Sequence, residues 1–505
     1  MTSLFFLLAC VATPDVVDPP PAPIEPDWTP CDLVDGSADG AAQCASVQVP
    51  LDHDAPSGRS IALRLKRLRA PSRPATRQLW WLHGGPGAKG TEALAGWAWL
   101  QEMDASLELI TLDHRGTGGS TRLSCPDQEA AKSDRGAWVT VDEAAACGQA
   151  LVDAWGEDLH RMTVDQAARD VARLARDLRR DRVDEVIVLG ASYGTYWAHR
   201  VLQLDPESVD VAWLSAMVAP MATLHTVDAR MNEVFDVVLE RCKTEPVCLA
   251  NLGPDPRARV AALHERLDQG HCDGLVSRRL LQEVSGEALM NPVIRSALLP
   301  MIARLDRCDE ADVGPIVRWF DRAFGIGAVV AEASSTLPID PPALYHFGTS
   351  EMLTGLDDAD ALEDDFARYL AATGRGTELA RIAEDWPRYP APEGRSSPAA
   401  FDGPMLLMHG TLDPTVAPAD LAPLFDTFQG PERQSFVFEG AAHTIVGGTG
   451  IPGTVDCASV ILQTWLSGDR SERPSCFGEH DLLRVVPNDV ARDFFFGGEA
   501  WPIAP

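Results

Sequence analysis

Residues 185–204 read EVIVLGASYGTYWAHRVLQL, and this stretch decides the fold. The apolar run 186–189 has the composition of a buried strand. It meets Gly190-Ala191-Ser192-Tyr193-Gly194, and residues 193–204 then suit a helix. The pattern is G-x-S-x-G on a strand–turn–helix junction. A turn this sharp strains its central residue and crowds its flanks, which is why small residues stand beside the serine. Ser192 is therefore the candidate nucleophile.

Further short apolar runs lie outward from this junction. Residues 79–82 form a strand ending at His83-Gly84-Gly85-Pro86-Gly87, and 107–112 form another ending at Asp113-His114-Arg115-Gly116. Strands are also expected at 210–214, 404–408 and 435–438, with a hairpin from 46–49 and 61–68 around Pro56-Ser57-Gly58. Residues 163–180 form an amphipathic helix, with Thr163 and Gln166 as a capping-box pair and Val171, Leu174 and Leu178 on one face. Between about 218 and 398 strand signals are scarce, and Val234, Val237, Val238 and Leu239 recur at helical spacing. The expected class is α/β: a mostly parallel, doubly wound sheet carrying a large helical cap insertion. Ligands of such sheets sit at the carboxyl ends of the strands, where each candidate below falls.

A serine nucleophile needs a base, and the order Ser, acid, His accompanies this kind of turn. Asp413 follows a strand in His409-Gly410-Thr411-Leu412-Asp413-Pro414, and His443 follows the last strand in Gly440-Ala441-Ala442-His443. His443 would take the serine proton, and Asp413 would orient the ring and stabilise its cation. Asp402 and Asp420 are the rival acids, while His83, His114 and His409 read as turn-stabilising residues. A tetrahedral intermediate needs two N–H donors. Tyr193, directly after the nucleophile, supplies one, and Gly85 in the early glycine loop the other, with Gly84 as its rival.

Lys and Arg number 43 against 74 Asp and Glu, a formal net charge of −31. Such a surface repels nucleic acid phosphates and anionic lipids, so no nucleic acid partner is expected. The apolar run 4–9 is far shorter than the roughly 20 residues a membrane-spanning helix needs. It ends at Cys10, in a string that resembles a bacterial lipobox, although no Lys or Arg precedes it. Cys10 is the candidate lipidation site, and 11–30, rich in Pro and Asp, reads as a tether. The remaining ten cysteines pair as sequence neighbours: 31–44, 125–147, 242–248, 272–308 and 457–476. Local bridges of this kind imply export to an oxidising compartment, with membrane contact through a lipid anchor only.

The strings HGGPG, DHRGTGGS, GASYGT, HGTLDP and GAAH together resemble the prolyl aminopeptidase and tripeptidyl aminopeptidase type of α/β-hydrolase, a resemblance reaching from about Trp28 to Cys476. It implies the α/β-hydrolase fold and the removal of N-terminal residues from peptides, without metal or cofactor. The partner would be a peptide with a free N-terminus, whose ammonium needs a carboxylate. The segment from Ala343 to Glu351 resembles the one that carries such an acid, and nominates Glu351. The resulting organisation is a signal at 1–10, a tether at 11–30, core at 31–217, helical cap at 218–398, core again at 399–480 and a tail at 481–505. An esterase or other small-molecule hydrolase would use the same machinery, and a non-catalytic surface binding protein would share the fold. An aspartate-nucleophile hydrolase does not fit, because position 192 is Ser.

Overall fold

The computed structural model describes residues 22–133, 135–179, 183–218, 223–325, 339–353, 358–427, 430–450, 455–478 and 482–502. Cys10, the signal and most of the tether lie outside the described residues. One nine-stranded sheet organises the chain: β1 Thr29–Cys31, β2 Ala42–Pro50, β3 Ser60–Leu68, β4 Arg77–Leu82, β5 Leu107–Leu112, β6 Glu185–Ala191, β7 Val211–Ser215, β8 Met405–Gly410 and β9 Arg433–Phe438. Its spatial order is β1-β2-β3-β5-β4-β6-β7-β8-β9. The first three strands join antiparallel, and from β5 to β9 all pairs are parallel. The expected α/β class and all eight expected strands are present; β1 was not foreseen.

A parallel sheet covered on both faces needs apolar residues on both. Trp80, Val188, Ala212 and Leu407 belong to one core, while Leu79, Trp81, Leu189, Trp213 and Leu406 belong to the core on the other face. Between β7 and β8 the described residues are helical and build a separate core around Val234, Phe235, Leu298 and Trp319. Residues 481–505, expected only as a tail, include the helix Asp489–Phe496, whose Phe495 and Phe496 enter that core. The five disulfides are the five sequence-neighbour pairs.

Two local expectations change. The helix expected over 163–180 runs Val164–Leu178, and Arg180 lies outside the described residues. Thr163 caps it by accepting from the Gln166 amide, but the Gln166 side chain turns instead to Asp52 and the His53 amide. The described end of the tether also packs, since the Ile24 amide donates to Asp177 of this helix and Trp28 lies under Arg67.

The DHRG string proves to be a brace. Arg115, fully buried, donates through Nε and Nη2 to the two oxygens of Asp170 at 2.8 and 2.7 Å, and through Nη1 to the Leu51 carbonyl. His53 bonds the same carboxylate at 2.8 Å. Burial raises the Asp170 pKa, but the Arg115 charge and the His53 and Arg115 hydrogen bonds outweigh it and hold the carboxyl below its ordinary value. Removing one member strands a buried charge. Asp170→Ala should therefore cost about 3–5 kcal/mol in chemical denaturation, and an unchanged midpoint would contradict the brace.

Candidate active site

The chain leaves β6 through Ser192, whose φ of 55° and ψ of −132° lie where L residues seldom go. Two glycines make this turn possible. A β-carbon on Gly194 would stand 2.0 Å from the Leu82 carbonyl oxygen, and one on Gly190 would stand 2.4 Å from the Gly194 oxygen. The turn is held from both sides: Ser192 N–H donates to Ser215 O at 3.1 Å, and Thr195 donates through its amide and hydroxyl to Ser192 O at 2.8 and 2.7 Å. The helix Tyr193–Leu204 then begins at once, which leaves its first amides without partners inside the helix.

The loop after β4 lies against this turn. A β-carbon on Gly84 would be 3.0 Å from Ser192 Cβ. The Gly84 amide donates back to His83 Nδ1 at 2.6 Å, which turns it to its own neighbour. Gly85, at φ 122°, lines the same cavity as Ser192 and Tyr193.

Asp413 and His443 are brought together by the ends of β8 and β9. His443 Nδ1 is 2.7 Å from Asp413 Oδ2. Asp413 Oδ1 accepts from the Thr415 amide at 2.8 Å and its hydroxyl at 2.6 Å. Thr415 Oγ1 also lies 3.2 Å from His443 Nδ1, a contact the sequence reading missed. The rival acids Asp402 and Asp420 are exposed. Burial pushes the Asp413 pKa up, but the His443 charge and hydrogen bond outweigh it and hold the carboxyl well below the usual range. Burial likewise pushes His443 down, and Asp413 more than reverses this to raise it above 6.5. His83 and His114 fall to about 4 through burial, so both are neutral rings near neutral pH.

Helices between β7 and β8 grip both loops. Arg230 donates to the Thr411 and Asp413 carbonyls at 2.9 and 3.2 Å, and buried Arg295 donates to the Gly440 carbonyl at 2.7 Å. The Thr444 amide, next to His443, donates to Met290 O at 3.0 Å. Neither arginine carries a local sequence signal.

Glu351 departs from the expectation placed on it. It is 1% exposed, and it is absent from the lining of the Ser192 cavity. Its carboxylate accepts from the Tyr196 and Tyr389 hydroxyls and from the Val164 amide at the start of the Val164–Leu178 helix. These bonds tie the nucleophile helix to its neighbours and leave the acid far from solvent. Among the described residues, the carboxylate that lines the cavity is Glu287, whose side chain is 44% exposed. Its negative charge contributes to raising His443. A larger polar cleft of about 560 Å³, among Lys66, Asp113, Arg122 and Asp340, shares no lining residue with this cavity.

The sheet topology and the turn at Ser192 are those of the α/β-hydrolase fold. The family model described as alpha/beta hydrolase fold matches residues 81–244. The chain is 30% identical over 213 residues to the tripeptidyl aminopeptidase of Streptomyces lividans, covering 38% of each chain. It is 26% identical over 260 residues to the serine protease Hip1 of Mycobacterium tuberculosis, covering 48% of this chain and 49% of that one. It thus spans between about two fifths and half of these relatives' lengths. The proline iminopeptidase structure from Mycobacterium smegmatis aligns over 84% of this chain and 99% of its own, at 14% identity and a TM-score of 0.39. The sequence resemblance to tripeptidyl aminopeptidases is borne out.

Because Asp413 supplies the charge that keeps the His443 ring basic, its titration midpoint, read from imidazole proton shifts, should lie above 6.5. Asp413→Asn removes the larger raising contributions and leaves burial opposed by Glu287 alone, so the midpoint should fall; a midpoint indifferent to the substitution would contradict the coupling.

Proposed function

We propose that the protein is an exported serine aminopeptidase that works through an acyl-enzyme, with 218–398 as a cap over the site. The observation that carries the reading is the pairing of a strained Ser192 turn with the Asp413–His443 hydrogen bond at the ends of neighbouring strands. The Ser192 hydroxyl passes its proton to His443 Nε2 as Oγ attacks the scissile carbonyl carbon. The amides of Tyr193 and Gly85 receive the developing oxyanion. Protonated His443 then gives that proton to the leaving amine, and the C–N bond breaks. Water repeats the sequence on the acyl-enzyme, losing its proton to His443, and the free acid leaves while Ser192 regains its proton. Asp413 stays ionised throughout and holds the ring.

Peptide substrates are favoured by the named relatives, which are a tripeptidyl aminopeptidase and a serine protease. Glu287 supports the N-terminal reading, because a half-exposed carboxylate in an otherwise mostly apolar cavity suits an ammonium group. It takes the role expected of Glu351. The five disulfides support export, and Cys10 remains the proposed lipid anchor.

Peptidyl-amide reporters with free and acetylated N-termini test this, run beside a short acyl ester. Free N-termini should be preferred about tenfold or more, and Glu287→Gln should remove most of that preference. Ester turnover with no amide turnover would replace the peptidase with an esterase. Equal turnover of free and blocked peptides would remove the ammonium role.

A further inference from the structure

Among the described residues, one cation lines the cavity that holds Ser192 alongside the Glu287 carboxylate, and it stands on a firm mount. Arg375 is the first residue of the helix Arg375–Asp385 and lines the cavity together with Thr373. The turn that carries it is fastened to the carboxylate of Asp228, which is 4% exposed. Asp228 Oδ1 accepts from the Thr373 amide, the Thr373 hydroxyl and the Gly374 amide at 2.9, 3.1 and 2.9 Å, and Oδ2 accepts from the Gly376 amide at 3.1 Å. A side chain at Gly376 would meet Asp228 Oδ2 and His225 Cα, both at 3.1 Å.

The opposite charge is mounted with equal care. Glu287 follows Gly286, where a β-carbon would lie 2.8 Å from the Ala372 carbonyl carbon. That close approach sets the helix Arg278–Ala288 directly against the Arg375 turn. Yet the two charges hardly engage: Arg375 Nη2 stands 3.9 Å from Glu287 Oε2, with the side chains 39% and 44% exposed. A bidentate carboxylate–guanidinium pair would close to about 2.8 Å. Two rigid supports thus hold opposite charges beside the nucleophile, a little too far apart to satisfy each other.

We infer that Arg375 is a specificity-determining residue, and that the site favours peptides whose N-terminal residue is Asp or Glu. Such a residue carries an ammonium and a carboxylate a few bonds apart, the mirror of the Glu287–Arg375 pair. The ammonium would meet Glu287 and the side-chain carboxylate Arg375. The bound ammonium neutralises Glu287, which removes the repulsion that an acidic side chain would otherwise feel. The inference rests on the ammonium reading of Glu287 given above.

The test is the ratio of kcat/KM for matched reporters with N-terminal Glu and Gln, free and acetylated, together with binding of the same peptides to Ser192→Ala. Active fractions are set by fluorophosphonate titration of the Ser192 enzymes. The Glu/Gln ratio should be about ten for free peptides, fall towards one in Arg375→Gln and recover partly in Arg375→Lys. Arg375→Glu should turn the preference towards an N-terminal Lys reporter. Preference for free over blocked N-termini with a Glu/Gln ratio near one would overturn the Arg375 assignment while leaving the ammonium reading intact. Equal handling of free and blocked peptides would overturn both, and so would Ser192→Ala binding neither Glu nor Gln peptides.

Discussion

Everything at this site depends on a turn that has no room for two β-carbons. Strand β6 can deliver Ser192 at a left-handed φ only because Gly194 packs its backbone against the Leu82 carbonyl and Gly190 against Gly194 itself. The same contact brings β4 and its glycine loop beside the serine, so the proposed nucleophile and oxyanion donors arrive as one packed unit. Filling either glycine would separate them. The strain at Ser192 is sustained by hydrogen bonds from Thr195 and to Ser215, which belong to the helix and strand that flank it.

The second half of the site is held differently. Asp413 and His443 sit on loops, and loops by themselves position side chains poorly. Here the helical segment between β7 and β8 steadies them from outside. Arg230 holds the carbonyls around Asp413, Arg295 holds Gly440, and Met290 receives the amide next to His443. Met290 lies three residues after Glu287 in the chain, and both line the cavity that holds Ser192.

The sequence was most legible where backbone geometry demands particular residues. Glycines around Ser192, the strand ends before Asp413 and His443, and the local cysteine pairs all leave a local mark. The strands were legible for the same reason, since burial on both faces writes continuous apolar runs such as 405–408. What escaped were contacts made across the chain by residues with no local signature. Glu351 looked suited to a ligand, yet its carboxylate accepts from Tyr196, Tyr389 and the start of a helix far away in the sequence. Glu287 and Arg375 are ordinary helix residues until Gly286 and Asp228 bring their elements together. The C-terminal residues read as a tail because Phe495 and Phe496 find their core only in the helices between β7 and β8.

The most direct measurement of the central claim is intact-protein mass spectrometry on rapidly quenched mixtures with a peptide ester, followed by mapping of the adduct. A transient mass increase equal to the acyl portion of the substrate less one hydrogen is expected, carried by the fragment containing Ser192 and absent in Ser192→Ala. Turnover with no adduct at any quench time, or an adduct on another residue, would contradict it.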